Sequence, residues 1–147
     1  GEVQGAMVLD LFAGTGALGI EALSRGAAMA WFVDRSRVVL ALLEKNLTAC
    51  GLEDKSRTIR WDIRLNLSCL RGVDPAFSMV FIDPPYGRGL PGQTLAHLHR
   101  SRSLASGACI VVEHGTAESL RVETLSFRID DQRRQGNTLV SFIRYLL

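Results

Sequence analysis

The sequence predicts an α/β fold, a mostly parallel sheet closed by a C-terminal antiparallel hairpin, with helices on both faces. Three observations carry this. Short apolar runs alternate with amphipathic stretches along the first two thirds of the chain. A glycine loop follows the first apolar run directly. The last two apolar runs have only Gly136-Asn137 between them, a pair suited to a tight hairpin turn.

The first run, Ala6 to Phe12, reads as a buried strand. A helix is expected from Ala17 to Arg25, stopped near Gly26. Met29 to Val33 reads as the second strand, ending at Asp34. Ser36 to Cys50 reads as a helix, with Val39, Leu40, Leu43 and Leu47 on one face and Gly51 as its stop. A third strand is expected over Thr58 to Trp61, then a short helix around Ile63 to Leu70. Phe77 to Ile82 reads as the fourth strand. A glycine-rich loop is expected from Gly87 to Gly92, then a helix from Gln93 to Ser101. Ala108 to Glu113 reads as the fifth strand, and Leu125 to Ile129 and Thr138 to Tyr145 as the hairpin. Strands joined through helices imply right-handed crossovers.

The 147 residues suit a single domain over 1–147. No apolar run reaches the roughly 20 residues of a membrane helix, and the start does not read as a secretory signal, so a cytoplasmic protein without membrane contact is expected. Cys50, Cys69 and Cys109 are too scattered for a disulfide framework or zinc site, and no metal is expected. Net charge is +2, too small to announce nucleic-acid binding, although 15 of the 17 basic residues are arginine, which suits bidentate phosphate contacts.

Two motifs carry chemistry. The first is Asp10-Leu11-Phe12-Ala13-Gly14-Thr15-Gly16-Ala17-Leu18-Gly19, between a strand and a helix at the carboxyl edge of the sheet. Gly14, Gly16 and Gly19 satisfy the dinucleotide pattern, and Asp34 ends the next strand where it can accept ribose hydroxyls. The segment from Asp10 to Gly16 also fits the first motif of class I methyltransferases, in which the strand-end acid faces the amino-acid part of S-adenosylmethionine. A pyrophosphate gains nothing from a carboxylate there, since like charges repel. A ligand-free turn is the third reading. Candidate cofactor residues are Asp10, Phe12, Ala13, Gly14, Thr15, Gly16, Asp34, Arg35, Asp62 and Ile63. Asp62 can accept from an adenine amine or cap the following segment.

The second motif is Asp83-Pro84-Pro85-Tyr86, at the end of the fourth strand. The prolines fix the backbone and aim the Pro84 carbonyl. An exocyclic amine on a base is a poor nucleophile because its lone pair is delocalised into the ring. Acceptors at its two hydrogens, the Asp83 carboxylate and the Pro84 carbonyl, favour positive charge developing on nitrogen and hold that nitrogen in line with a methyl group. Tyr86 offers a face for a flipped base. Asp83, Pro84, Pro85 and Tyr86 are thus the candidate catalytic residues, with Tyr86 and Arg88 as candidate substrate contacts.

Together with Gly87-Arg88-Gly89-Leu90, the run from Gly16 to Ala27, Asn46, and the ending Gly136-Asn137-Thr138-Leu139, these motifs make the chain resemble the bacterial small-subunit (16S) ribosomal RNA (guanine-N2) methyltransferases, RsmD-like. The resemblance covers nearly the whole chain from Gly5. It implies a Rossmann-like class I methyltransferase fold with a seven-stranded sheet, S-adenosyl-L-methionine as cofactor, and transfer of one methyl to a guanine amine in ribosomal RNA, within an assembled small subunit. It also implies an N-terminal basic hairpin and short helix that this sequence, starting almost at the first strand, does not include. Adenine-N6 DNA methyltransferases share the Asp-Pro-Pro-Tyr pattern and are the nearest alternative. A nicotinamide-dependent oxidoreductase explains the glycines but not that motif. His97, His99, His114, Trp31, Trp61 and Glu113 are given no role. Arg133 and Arg134 are further possible contacts to RNA.

Overall fold

The computed structural model describes residues 1–118, 120, 122 and 124–147. Its seven strands form one sheet in the order β3-β2-β1-β4-β5-β7-β6. The strands are β1 (Met7–Leu11), β2 (Met29–Asp34), β3 (Ser56–Arg60), β4 (Phe77–Ile82), β5 (Leu104–Gly115), β6 (Phe127–Gln135) and β7 (Thr138–Tyr145). β1 to β5 pair in parallel, and β7 lies antiparallel between β5 and β6. The predicted architecture is the one observed.

All five residues of β1 are buried, because helices cover both faces of this central strand. Helices α1 (Ala17–Ser24) and α2 (Arg37–Ala49) pack Ala22, Leu23, Leu40, Leu43 and Leu47 against Val8, Ala30 and Phe32. Helix α3 (Leu90–Ser101) covers the other face, where Leu95 and Leu98 meet Leu9, Val80, Ile110 and Ile143. Each fully buried leucine or phenylalanine contributes roughly 1.5–3 kcal/mol by leaving water. Ser36 caps α2, its Oγ accepting the Val39 N–H at 3.2 Å. No described helix is long and apolar enough to cross a membrane.

Several expected boundaries move. Ile63 to Leu70 is not a helix: a turn leads into a single 3₁₀ turn at Ser68–Leu70. Asn66 Oδ1 accepts both the Ser68 N–H (3.0 Å) and its hydroxyl (2.9 Å), an Asx turn that competes with helix propagation. Ile63, Leu67 and Leu70 are buried nonetheless, which is why their spacing imitates a helix. The loop expected through Gly92 ends at Gly89, whose left-handed φ of 64° starts α3, with Pro91 in the first turn. Strand β3 begins two residues before Thr58, and β5 and β6 run well beyond their expected ends. In β6 only Phe127 is buried, so its polar sequence FRIDDQRRQ carries little apolar signal.

Candidate active site

The carboxyl ends of β1, β2 and β4 lie side by side, and both motifs leave from that edge. Phe12, directly after β1, takes a left-handed φ of 57°, a conformation few bulky residues adopt. The chain then turns through Gly14 (φ 58°) and Gly16 (φ 83°) into α1. A side chain on Gly16 would collide with Leu43, and one on Gly19 would collide with the Phe32 ring and lie 3.1 Å from Asp10 Oδ2. The glycine spacing therefore serves close packing of loop and helix against β1 and β2.

Two carboxylates hold this loop. Asp10 is 2% exposed, and its Oδ2 accepts the Gly19 N–H at 3.0 Å. Burial pushes its pKa up to about 7; the Gly19 hydrogen bond opposes the shift, and the negative charges of Asp83 and Asp34 add to it. Asp34 accepts the Gly14 N–H on Oδ2 and the Ser36 N–H on Oδ1, both at 3.0 Å. Asn46 reaches from α2 to the Thr15 carbonyl at 3.4 Å.

Beside the loop lies a cavity of about 600 Å³. Phe12, Asp34, Arg35, Asp62, Ile63, Asp83, Pro84, Pro85, Tyr86 and Arg88 line it, bringing together most of the residues expected from both motifs. Asp10, Ala13, Gly14, Thr15 and Gly16 do not line it; they form the loop beside it, with Asp10 underneath. Asp62 does not cap a helix. It holds Arg64 through three bonds of 2.8–3.1 Å to the guanidinium and backbone N–H. The Arg64 contact holds its carboxyl below the usual range.

Three partners were not read from the sequence as part of the site. Trp61 lines the cavity and is oriented by its Nε1–H donating to the Asn66 carbonyl at 2.9 Å. Thr138, at the start of β7, shares a 2.9 Å hydrogen bond with the Tyr86 hydroxyl, and the Tyr86 side chain stays 54% exposed. Glu113 stands beside Asp83. The parallel register pairs Ile82 with Val112, so the next residues, Asp83 and Glu113, end abreast. The Glu113 carboxyl acts on Asp83 as a neighbouring acid. Burial first, then this contact and the Glu113 charge, raise the Asp83 pKa to about 6. The available signal was an acid closing the apolar run Ala108 to Val112. The histidines make packing contacts: His97 to the Arg64 carbonyl, His99 to the Tyr145 hydroxyl and His114 to the Ser141 hydroxyl. Arg133 and Arg134 lie exposed on β6 and do not line the cavity.

The backbone amides offered by the loop bear on what the cavity accepts. A pyrophosphate needs free N–H donors at the glycine turn. Here the Gly14 and Gly19 amides are already given to Asp34 and Asp10. The loop therefore presents acceptors and negative charge, which suit hydroxyl and ammonium groups.

The chain is 41% identical over 131 residues to ribosomal RNA small subunit methyltransferase D of Escherichia coli, covering 89% of this chain and 64% of that protein. It is 36% identical over 111 residues to a putative rRNA methyltransferase of Bacillus subtilis, covering 76% of this chain and 60% of that protein. It thus spans less than two thirds of the length of these curated relatives. The structure of a putative methyltransferase from Escherichia coli superposes with a TM-score of 0.89 at 30% identity, over 99% of this chain and 80% of that one. The family model described as Conserved hypothetical protein 95 matches residues 1–144, and the chain, with its class I methyltransferase fold and RsmD-like motifs, belongs to that family.

Proposed function

We propose that this chain transfers a methyl group from S-adenosyl-L-methionine to the exocyclic N2 amine of a guanine in small-subunit (16S) ribosomal RNA, in the cytoplasm and on an assembled particle. The observation that carries the reading is the opening of Asp83-Pro84-Pro85-Tyr86 into the same cavity as Phe12, Asp34 and Asp62, beside the glycine loop. The names of the relatives supply the RNA.

The residues present fit the cofactor. Asp34, fixed by two backbone amides, keeps lone pairs free for ribose hydroxyls. Phe12, Ile63 and Trp61 give apolar walls suited to an adenine, with Asp62 at the rim. Asp10 sits beneath the loop and supplies negative charge toward an ammonium. When bound, S-adenosylmethionine supplies an electrophilic methyl on a sulfonium. On the other side, the Asp83 carboxylate and Pro84 carbonyl accept the two hydrogens of the guanine amine, orient its nitrogen, and stabilise the positive charge that develops there. Tyr86, its hydroxyl held by Thr138, stacks on the base, and Arg88 approaches a phosphate.

Calorimetric titration with S-adenosylhomocysteine tests the cofactor half of the reading. Micromolar binding, lost in Asp34→Ala and absent with NAD, is expected. Binding of NAD with no response to S-adenosylhomocysteine would overturn it.

A further inference from the structure

Asp83 directly follows β4 and Glu113 lies within β5, each one residue past the paired Ile82 and Val112, on parallel strands about 4.8 Å apart. This register places the two acids side by side. Among the described residues neither has a cation within ion-pair distance; Arg88 and Arg64, nearby in the cavity, do not pair with either. Two facing carboxylates without a cation repel one another. Such a pair suits a ligand that brings two neighbouring N–H groups on one edge. Glu113 lies on the β5 side of Asp83, away from β1 and β2, where the glycine loop and Asp34 define the cofactor side. Glu113 thus stands on the side of Asp83 opposite the cofactor side, next to the cavity rather than among its lining residues.

Guanine has the matching edge. Its N2 amine stands next to the ring N1–H, and both are donors. Adenine has its N6 amine next to N1, which carries a lone pair and no hydrogen. We propose that Glu113 is the residue that selects guanine: its carboxylate accepts the ring N1–H of the base whose amine is held by Asp83 and the Pro84 carbonyl. This rests on the methyl-transfer reading above. It gives that reading a physical reason for guanine over adenine, which share the Asp-Pro-Pro-Tyr acceptors. With adenine, the N1 lone pair faces the Glu113 carboxylate and the contact becomes repulsive. A glutamine at position 113 removes the discrimination, because its amide turns to accept from guanine N1–H or to donate to adenine N1.

2-Aminopurine isolates the contact, since it keeps the 2-amine and replaces the N1–H by a lone pair. Pentaribonucleotides of uridine with guanine, 2-aminopurine, adenine or uracil at the centre, labelled with fluorescein, are titrated by anisotropy into the chain saturated with S-adenosylhomocysteine. The wild type is expected to bind the guanine form roughly 10- to 100-fold more tightly than the 2-aminopurine and adenine forms, the cost of leaving the acceptor unmatched. Glu113→Gln is expected to bring all three within about 3-fold of one another, its amide serving either partner, with cofactor affinity unchanged. If Glu113→Gln keeps the wild-type preference, or weakens all three alike, Glu113 does not select the base and the proposal is overturned. A wild type that binds the guanine and uracil forms equally well overturns the guanine reading itself.

Discussion

Asp10 is a buried carboxylate for which a cofactor role is proposed, and Asp10→Asn separates that role from the cost of burying the charge. Its folded pKa of about 7 stands well above the ordinary 3.8. Between these values the native state binds a proton that the unfolded chain does not. Stability therefore falls as pH climbs through this window and levels off above it. At 1.36 kcal/mol for each unit, ionised Asp10 costs the native state about 4 kcal/mol at pH 8. Asparagine keeps the acceptor for the Gly19 N–H and has no charge to bury. Asp10→Asn should raise the melting temperature at pH 8 by about 8–16 °C for a chain of this length, yet change it little at pH 4.5, where wild-type Asp10 is protonated in the fold. The same variant should bind S-adenosylhomocysteine roughly 10-fold more weakly, through loss of the negative charge beneath the loop that faces its ammonium. Scanning calorimetry at the two pH values and one titration measure both. An equal melting shift at pH 4.5 and 8 would refute the burial argument, and undiminished cofactor affinity would refute the role given to Asp10.

Further predictions come from the same site. Gly19→Ala should destabilise by about 1–3 kcal/mol through overpacking against Phe32 and Asp10, seen as a lower urea midpoint with unchanged slope. Tyr86→Ala should raise KM for the RNA about 5- to 100-fold by removing a stacking face. Tyr86→Phe, which loses only the hydrogen bond to Thr138, should cost much less. The pH profile of kcat/KM should rise through about pH 6 as Asp83 loses its proton and becomes an acceptor. In Glu113→Gln that rise should move to lower pH, since the neighbouring negative charge is gone.

The fold was legible where periodicity and punctuation agreed. β1, β2 and β4 are short apolar runs ended by the acids or turns that follow them, and α2 carries its Ser36 cap and leucine stripe openly. It was misread where local chemistry overrode spacing, as at Asn66, whose side chain diverts a helix-like pattern into turns. It was also misread at Pro91 and Gly92, which look like a loop but lie in the first turn of α3. The polar edge strand β6 was truncated for want of apolar residues. The two motifs were legible because each is contiguous in sequence. Trp61, Thr138 and Glu113 were not, because each joins the site through another element: the Asn66 turn, β7 and the β4–β5 register.

The most direct measurement of the central claim is to incubate the chain with small ribosomal subunits from cells lacking the endogenous activity and methyl-labelled S-adenosylmethionine, then digest the RNA and identify the labelled nucleoside by mass spectrometry. The account predicts N2-methylguanosine as the labelled product, abolished by Asp83→Ala. N6-methyladenosine as the product, or label incorporation undiminished in Asp83→Ala, would contradict it.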